Sequence, residues 1–245
     1  MLSDRMASSA RFSTKPLYLQ LRDALAERIS AGAWKPGAVI PNESDLAREF
    51  GVSAGTMRKA LDLMEAERLL TRRQGRGTFV NDQASEELAL RFSSLRAANG
   101  DHLDGVAKAV QVVEDAANDL ERMRLRLGPN DRIYRIHRTR LHKGQPFMVE
   151  HATVPVSLFP GLGEKAEVAS RIMVLAQQYG VLLGKAEERV SIGQAAPAVA
   201  DTLGIPSSAP VMVLDRVVQS LDGRPVEWRV GWCHLADKYY RAEMV

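Results

Sequence analysis

Residues 41–80, PNESDLAREFGVSAGTMRKALDLMEAERLLTRRQGRGTFV, constrain the fold more than any other stretch of the chain. Asn42 stands just before 43–50 and offers a side-chain oxygen to the free N–H groups of a helix start, with Asp45 as the answering carboxylate of a capping box. Gly51 suits the positive φ needed past a helix end. Ser53 then caps a second helix expected to run to about Glu65. Two helices joined across FGVS have the spacing of a helix-turn-helix, whose second helix enters the major groove of DNA.

The second helix sorts its faces. Met57, Leu61 and Met64, with Ala60 beside them, recur at helical spacing and form the packing stripe. Gly55, Arg58 and Asp62 share the opposite face, flanked by Lys59. A hairpin is expected at once: strand 69–73, a turn at Gln74-Gly75-Arg76-Gly77, and strand 78–80. Arg72, Arg73 and Arg76 crowd this hairpin, and clustered guanidiniums near phosphates are rewarded by counterion release. Gly75 and Gly77 permit the tight turn and a close approach to another surface.

Charge supports a nucleic-acid partner for this half. The formal net charge of +3 divides unevenly: residues 1–80 hold 13 Lys and Arg against 9 Asp and Glu, and the remainder is slightly acidic. Before the motif, 1–14 reads as a tail, and 17–31 as a helix with Leu21, Leu25 and Ile29 on one side. Gly32 ends it, and Val39-Ile40 forms a short strand able to pair with the hairpin. Residues 81–87, NDQASEE, read as a polar linker; the domain boundaries expected are 15–80, a linker at 81–89, and 90–245.

From Pro16 to Val80 the chain resembles the N-terminal winged helix-turn-helix of the GntR family of bacterial transcription regulators, most specifically in RRQGRGTFV. The resemblance implies double-stranded operator DNA as a partner and implicates Ser53, Thr56, Arg58 and Gly75-Arg76-Gly77 in contacting it. Ser44 and Ala54-Gly55 occupy positions where many members carry arginine in the first helix and Arg-Thr at the start of the second. Fewer arginines mean fewer bidentate guanine contacts, so a different operator or more reliance on Lys59, the wing and DNA shape is expected.

Past the linker the pattern changes. Residues 131–141 and 145–154 alternate as strands around a Lys143-Gly144 turn, and 170–179 suits a helix. Strands are expected at 187–193, 211–220 and 225–234, with a short helix at 197–203. The fold class is therefore an α/β two-domain chain: a winged helix-turn-helix followed by an α+β domain. RTRLHKGQPFMVEHATVP, LGIPSSAPVMVLDRVVQSLDGRPVEW and ADKYY resemble the UTRA ligand-sensing domain of the HutC subgroup. That resemblance implies a chorismate-lyase-like antiparallel sheet enclosing a small-molecule cavity, and a homodimer.

Arg138 and Arg140 are two apart on one strand and so share a face. Glu150 joins them if paired positions sum to an even number, which a three-residue-type hairpin with Gly144 as its bulge residue would produce. Two guanidiniums beside a carboxylate suit an anionic effector. The family resemblance places effector contacts at these three positions and adds Glu227; Ser93, after Phe92 at the domain entrance, is a further candidate, for a polar lid contact. His137 and His151 have the opposite parity and should face away. Cys233-His234 cannot converge on a metal, because adjacent strand residues point to opposite faces.

No nucleophile elbow, P-loop, cofactor motif or metal-ligand spacing is present, so an enzyme is not expected. A single cysteine, the lack of a signal peptide and the lack of a membrane-length apolar run point to the cytoplasm and to no membrane partner.

Overall fold

The computed structural model of the chain describes residues 15–103, 106–165 and 171–242. The expected tail at 1–14 and the expected helix start at Ser170 lie outside the described residues. The backbone separates into two compact units, Met1–Asn81 and Asp82–Val245.

In the first unit α1 (Leu17–Ser30) packs on α3 (Ala54–Ala66), and α2 (Glu43–Glu49) lies against α3 as well. The packing stripe is as expected: Met57, Ala60, Leu61 and Met64 are buried, as are Leu21 and Leu25 of α1 and Leu46 of α2, the two helices packed on α3. Asn42 caps α2, its side chain accepting from the Asp45 N–H at 2.9 Å. The reciprocal half of the capping box differs from expectation. The Asp45 carboxylate accepts from the Asn42 side-chain amide at 2.6 Å and not from the Asn42 backbone, because the amide reaches it first.

Strands β1 (Leu70–Arg73) and β2 (Gly77–Val80) form the wing, with Arg73 opposite Gly77. Val39 bridges to Phe79, and the Ile40 N–H donates to the Thr78 carbonyl at 2.9 Å, so the Val39-Ile40 segment does line the wing. Gly77 is required twice over. Its φ is +108°, and a Cβ there would stand 3.2 Å from Val39 Cγ1.

The second unit opens with a short helix, α4 (Glu86–Ala89), capped by Ser85, inside the stretch expected to be linker. It continues through β3 (Leu95–Arg96), β4 (Val106–Ala116), α5 (Asp119–Leu125), β5 (Arg132–His142), β6 (Gln145–Pro155), α6 (Ile172–Gln178), β7 (Leu183–Gln194), α7 (Pro197–Leu203), β8 (Pro210–Ser220), β9 (Pro225–Cys233) and β10 (Tyr239–Tyr240). Six strands form one antiparallel sheet in the order β4-β5-β6-β9-β8-β7, and β3 pairs with β10. Antiparallel pairing sends alternate residues to opposite faces. One face carries Tyr134, Ile136, Ala152, Val154 and Val218 under α6 and the loop of Phe159. The opposite face packs Leu125 of α5 and Val199 and Leu203 of α7.

Strand β4 and helix α5 were not anticipated. The helix had a legible signal, for Asn118 and Glu121 form a complete capping box. The β5–β6 hairpin reaches the expected register by another route. Lys143 and Gly144 both have positive φ, making a two-residue turn with His142 opposite Gln145, which is an odd sum. An irregularity at Phe147 then shifts the pairing, so Arg140 stands opposite Met148 and Arg138 opposite Glu150. The bulge sits in the strand and not at the turn.

Cys233 is buried beside Met148 and Leu214, and burial pushes its thiol up to about 12. Alkylation of the folded chain by iodoacetamide at pH 8 is expected to be negligible and to become complete in denaturant, read by mass spectrometry. Rapid labelling of the native chain would show that this strand end opens.

Candidate functional site

Helix α3 starts where Ser53 accepts from the Thr56 N–H at 3.2 Å, and the two hydroxyls lie 2.8 Å apart. Each hydroxyl is thus held in place by the other. Ala54, Gly55, Arg58 and Lys59 are exposed on this helix, and Ser44 is exposed on α2. Around Gly55 there is open space: an added Cβ would meet only Ser53 Oγ, at 4.0 Å. Gly55→Ala is therefore expected to stabilise the fold by up to ~1 kcal/mol through helix propensity, measured by urea denaturation. A loss of stability would mean that the close backbone surface itself is needed.

The cations of this unit divide into tethered and untethered ones. Arg58 spans the Glu43 carboxylate, with Nη2 at 2.8 Å and Nε at 3.1 Å from Oε1. This contact and the charge of Glu43 raise the pKa of Arg58. Arg72 turns back on α3, pairing with Asp62 at 2.6 Å and Glu65 at 2.7 Å. Lys59 sits over the Tyr18 ring of α1, 4.0 Å from its centre. Arg73 lies over Phe79. Arg76, between the positive-φ residues Gly75 and Gly77, is exposed at the tip. The sequence thus placed Arg58, Lys59, Arg72 and Arg76 together as cations, and the structure gives them different settings.

In the second unit, Arg138, Arg140, Glu150 and Glu227 converge on one sheet face as expected. Arg138, Glu150 and Glu227 are buried to 3%, 0% and 2% exposure. Glu150 takes Arg138 Nε at 2.7 Å and Arg140 Nη2 at 2.8 Å on one oxygen, and Arg229 Nη1 at 3.1 Å on the other. Arg138 reaches on to Glu227 at 3.2 Å. Burial pushes the Glu150 carboxyl up, but the three guanidiniums outweigh it and hold the group far below the usual carboxylate range. Gly231 stands directly opposite Glu150 on β9, where a Cβ would fall 2.9 Å from Met148 Sδ. Its missing side chain leaves the space that the Met148 thioether fills beside Glu150.

Arg138, Arg140, Glu227 and Arg229 line a cavity of about 70 Å³, whose wall also includes Leu90, Phe92 and Ser93 from the segment between α4 and β3. Ser93 is therefore at the cavity wall, as expected. Ligand pockets commonly measure ~300–1,000 Å³, so this cavity is small by comparison. Three charged residues of the network escaped the sequence: Arg216, Arg229 and Glu188. Arg229 had a signal, because it lies two positions beyond Glu227 on the same strand.

His137 and His151 pair on the opposite face, ring centres 4.2 Å apart, with Trp232 next to His151. Among the described residues no cluster of His, Cys, Asp and Glu could hold a metal, and no helix is long and apolar enough to cross a membrane.

Comparison with known proteins agrees with both halves. Residues 17–80 match the bacterial regulatory proteins of the gntR family, and residues 104–239 match the UTRA domain. The mannosyl-D-glycerate transport/metabolism system repressor MngR of Escherichia coli (strain K12) is 29% identical over 87% of this chain and 90% of its own length. An HTH-type transcriptional regulator of Mycobacterium tuberculosis is 30% identical over 91% of this chain and 84% of its own. In fold, the chain is similar to the crystal structure of a possible transcriptional regulator, YydK, from Bacillus subtilis, with a TM-score of 0.55, 18% identity, and coverage of 93% and 99%. The Mycobacterium smegmatis PhnF structure gives a TM-score of 0.53 at 20% identity, over 94% of this chain and 99% of that one. MngR and the Mycobacterium tuberculosis protein are named as transcription regulators, and with a gntR-type helix-turn-helix joined to a UTRA domain this chain belongs to the GntR family of bacterial transcription regulators.

Proposed function

We propose that this chain is a homodimeric repressor that holds a palindromic operator in the cytoplasm until a small anionic metabolite enters the second unit and releases it. The observation that carries this is the convergence of buried Arg138 and Glu227 and half-buried Arg140 on one small cavity, with buried Glu150 behind the two arginines. Burying charges costs several kcal/mol per ion, and a site that does so without enzymatic machinery suits recognition of a charged ligand. A ligand trades places with the internal ion pairs: its acidic group takes guanidiniums from Glu150, and Glu150 and Glu227 accept its N–H or O–H groups. Relatives named as repressors, MngR among them, support the sense of regulation.

DNA contact is assigned to the exposed start of α3, through Ser53, Ala54, Gly55, Thr56, Arg58 and Lys59. Ser44 borders them, Arg72 stiffens the wing root, and Gly75-Arg76-Gly77 forms the wing tip. A palindrome read by two copies places the two α3 helices one or more DNA turns apart, ~34–36 Å for a single turn. The metabolite acts only by binding one arrangement of the pair better than the other. Exposed Leu120 and Met123 on α5 offer apolar surface that pairing would cover.

The test is to select duplexes from a random-sequence pool with the full chain and measure binding across a salt series. Arg76→Ala is expected to weaken binding to all selected sequences alike and to reduce the slope of log K against log salt by about 0.9. An unchanged slope would remove the wing tip from the phosphates. Selection of no duplex by the native chain would refute the proposed function itself.

A further inference from the structure

Arg216 and Arg229 face the same cavity and belong to none of the positions discussed as effector contacts. They are direct cross-strand partners on β8 and β9, and are exposed by only 6% and 7%. Like charges set opposite each other in a sheet repel, and burial removes the water that would screen them. One carboxylate oxygen bridges the two, for Glu188 Oε1 lies 2.8 Å from Arg216 Nε and 3.1 Å from Arg229 Nη2, and Arg229 has Glu150 as a second partner. The other Glu188 oxygen accepts from the Tyr240 hydroxyl at 3.1 Å. Burial and the neighbouring Arg229 pull the Arg216 guanidinium down to about 10. Finally, Arg229 Nε is buried without any hydrogen-bond partner. A buried donor left unsatisfied costs stability, so its retention points to a partner that arrives from outside.

We propose that Arg216 and Arg229 form a second anion-holding pair, so that the cavity selects a ligand with two separate acidic groups. The first group takes Arg138 and Arg140, and the second takes Arg216 and the idle Nε of Arg229. Arg229 joins the two ends, since it donates to Glu150 through one terminal nitrogen and to Glu188 through the other. This inference rests on the proposed effector cavity and adds the ligand's class to it.

Matched probes test it on the full chain by calorimetry and thermal shift: butyrate against succinate, and glycerol 3-phosphate against 3-phosphoglycerate. In each pair the compound with two acidic groups is expected to bind at least about tenfold tighter. Arg229→Gln should abolish that advantage while single-group binding persists. Arg216→Gln, which leaves Glu188 with Arg229 and Tyr240, is the variant to use if the first fails to fold, and should also reduce the advantage. Equal binding within each pair, including no binding by any probe, overturns the proposal, as does an advantage that survives both substitutions. Single-group binding that is lost in Arg138→Ala would then leave the proposed effector cavity standing, and operator selection without ligand tests the regulator assignment separately.

Discussion

Arg138→Ala is expected to abolish the response to effector while operator binding by the native fraction survives. Arg138 touches both Glu150 and Glu227, and its side chain is 2% exposed. Removing one partner of a buried ion pair leaves the other charge without compensation, at a cost of ~3–5 kcal/mol. For a chain of this size that amounts to a fall in melting temperature of about 10 °C. Loss of response could then reflect an unfolded sensor, so Arg138→Lys is the informative companion. Lysine keeps the charge near Glu150 and the fold with it, but offers one ammonium in place of a planar fork. A variant that melts near the native temperature, binds operator and ignores effector would locate the defect in recognition. Full induction of Arg138→Lys and Arg138→Ala alike would place the effector elsewhere.

Stability should follow acid in a related way. The folded-state pKa of Glu150 is depressed, so its contribution is complete above the ordinary carboxylate pKa of 4.5 and is lost as pH falls below that value. Melting temperature is accordingly expected to hold between pH 7 and 5 as far as this group is concerned and to drop below it. An acid profile that stays flat below the carboxylate range would show that Glu150 is not the charge that ties the arginines together.

What the sequence revealed follows from how local each feature is. The stripe of Met57, Leu61 and Met64 and the caps at Asn42 and Ser53 depend on residues within a turn or two of each other, and all occur as expected. The arginine pair of β5 and its carboxylate on β6 were legible because one hairpin joins them, even though the register came from a bulge near Phe147. Strand β4 escaped because it is an edge strand, and VAKAVQVVEDA does not alternate cleanly. Arg216 and Glu188 escaped for a different reason. They are direct partners across β7 and β8, two strands joined through α7 and not by a tight turn, so no hairpin count fixes their register. On the first unit, charge counts could not separate Arg76 from Arg72, because Asp62 and Glu65 close on the latter only once helix and wing have folded together.

Arg58→Ala is expected to weaken operator binding by roughly tenfold to a hundredfold, the range of one good bidentate base contact. In the structure Arg58 is not idle, for it grips Glu43 with Nε and Nη2. Its side chain is nevertheless 65% exposed, and an ion pair in water is weak and screened by salt. A guanine edge or a phosphate in a dry groove is the better partner, so Arg58 should exchange Glu43 for DNA on binding. Glu43→Gln then separates the possibilities. If the exchange occurs, this variant binds operator somewhat tighter, because Arg58 starts free and a carboxylate near phosphate is gone. If Arg58 keeps Glu43 in the complex, the same substitution weakens binding by misplacing the guanidinium. A cycle of Arg58→Ala, Glu43→Gln and the double variant, titrated by fluorescence anisotropy, gives the sign of the coupling directly. No coupling, together with unchanged affinity in Arg58→Ala, would take Arg58 off the reading face and leave base recognition to Ser53, Thr56 and the wing.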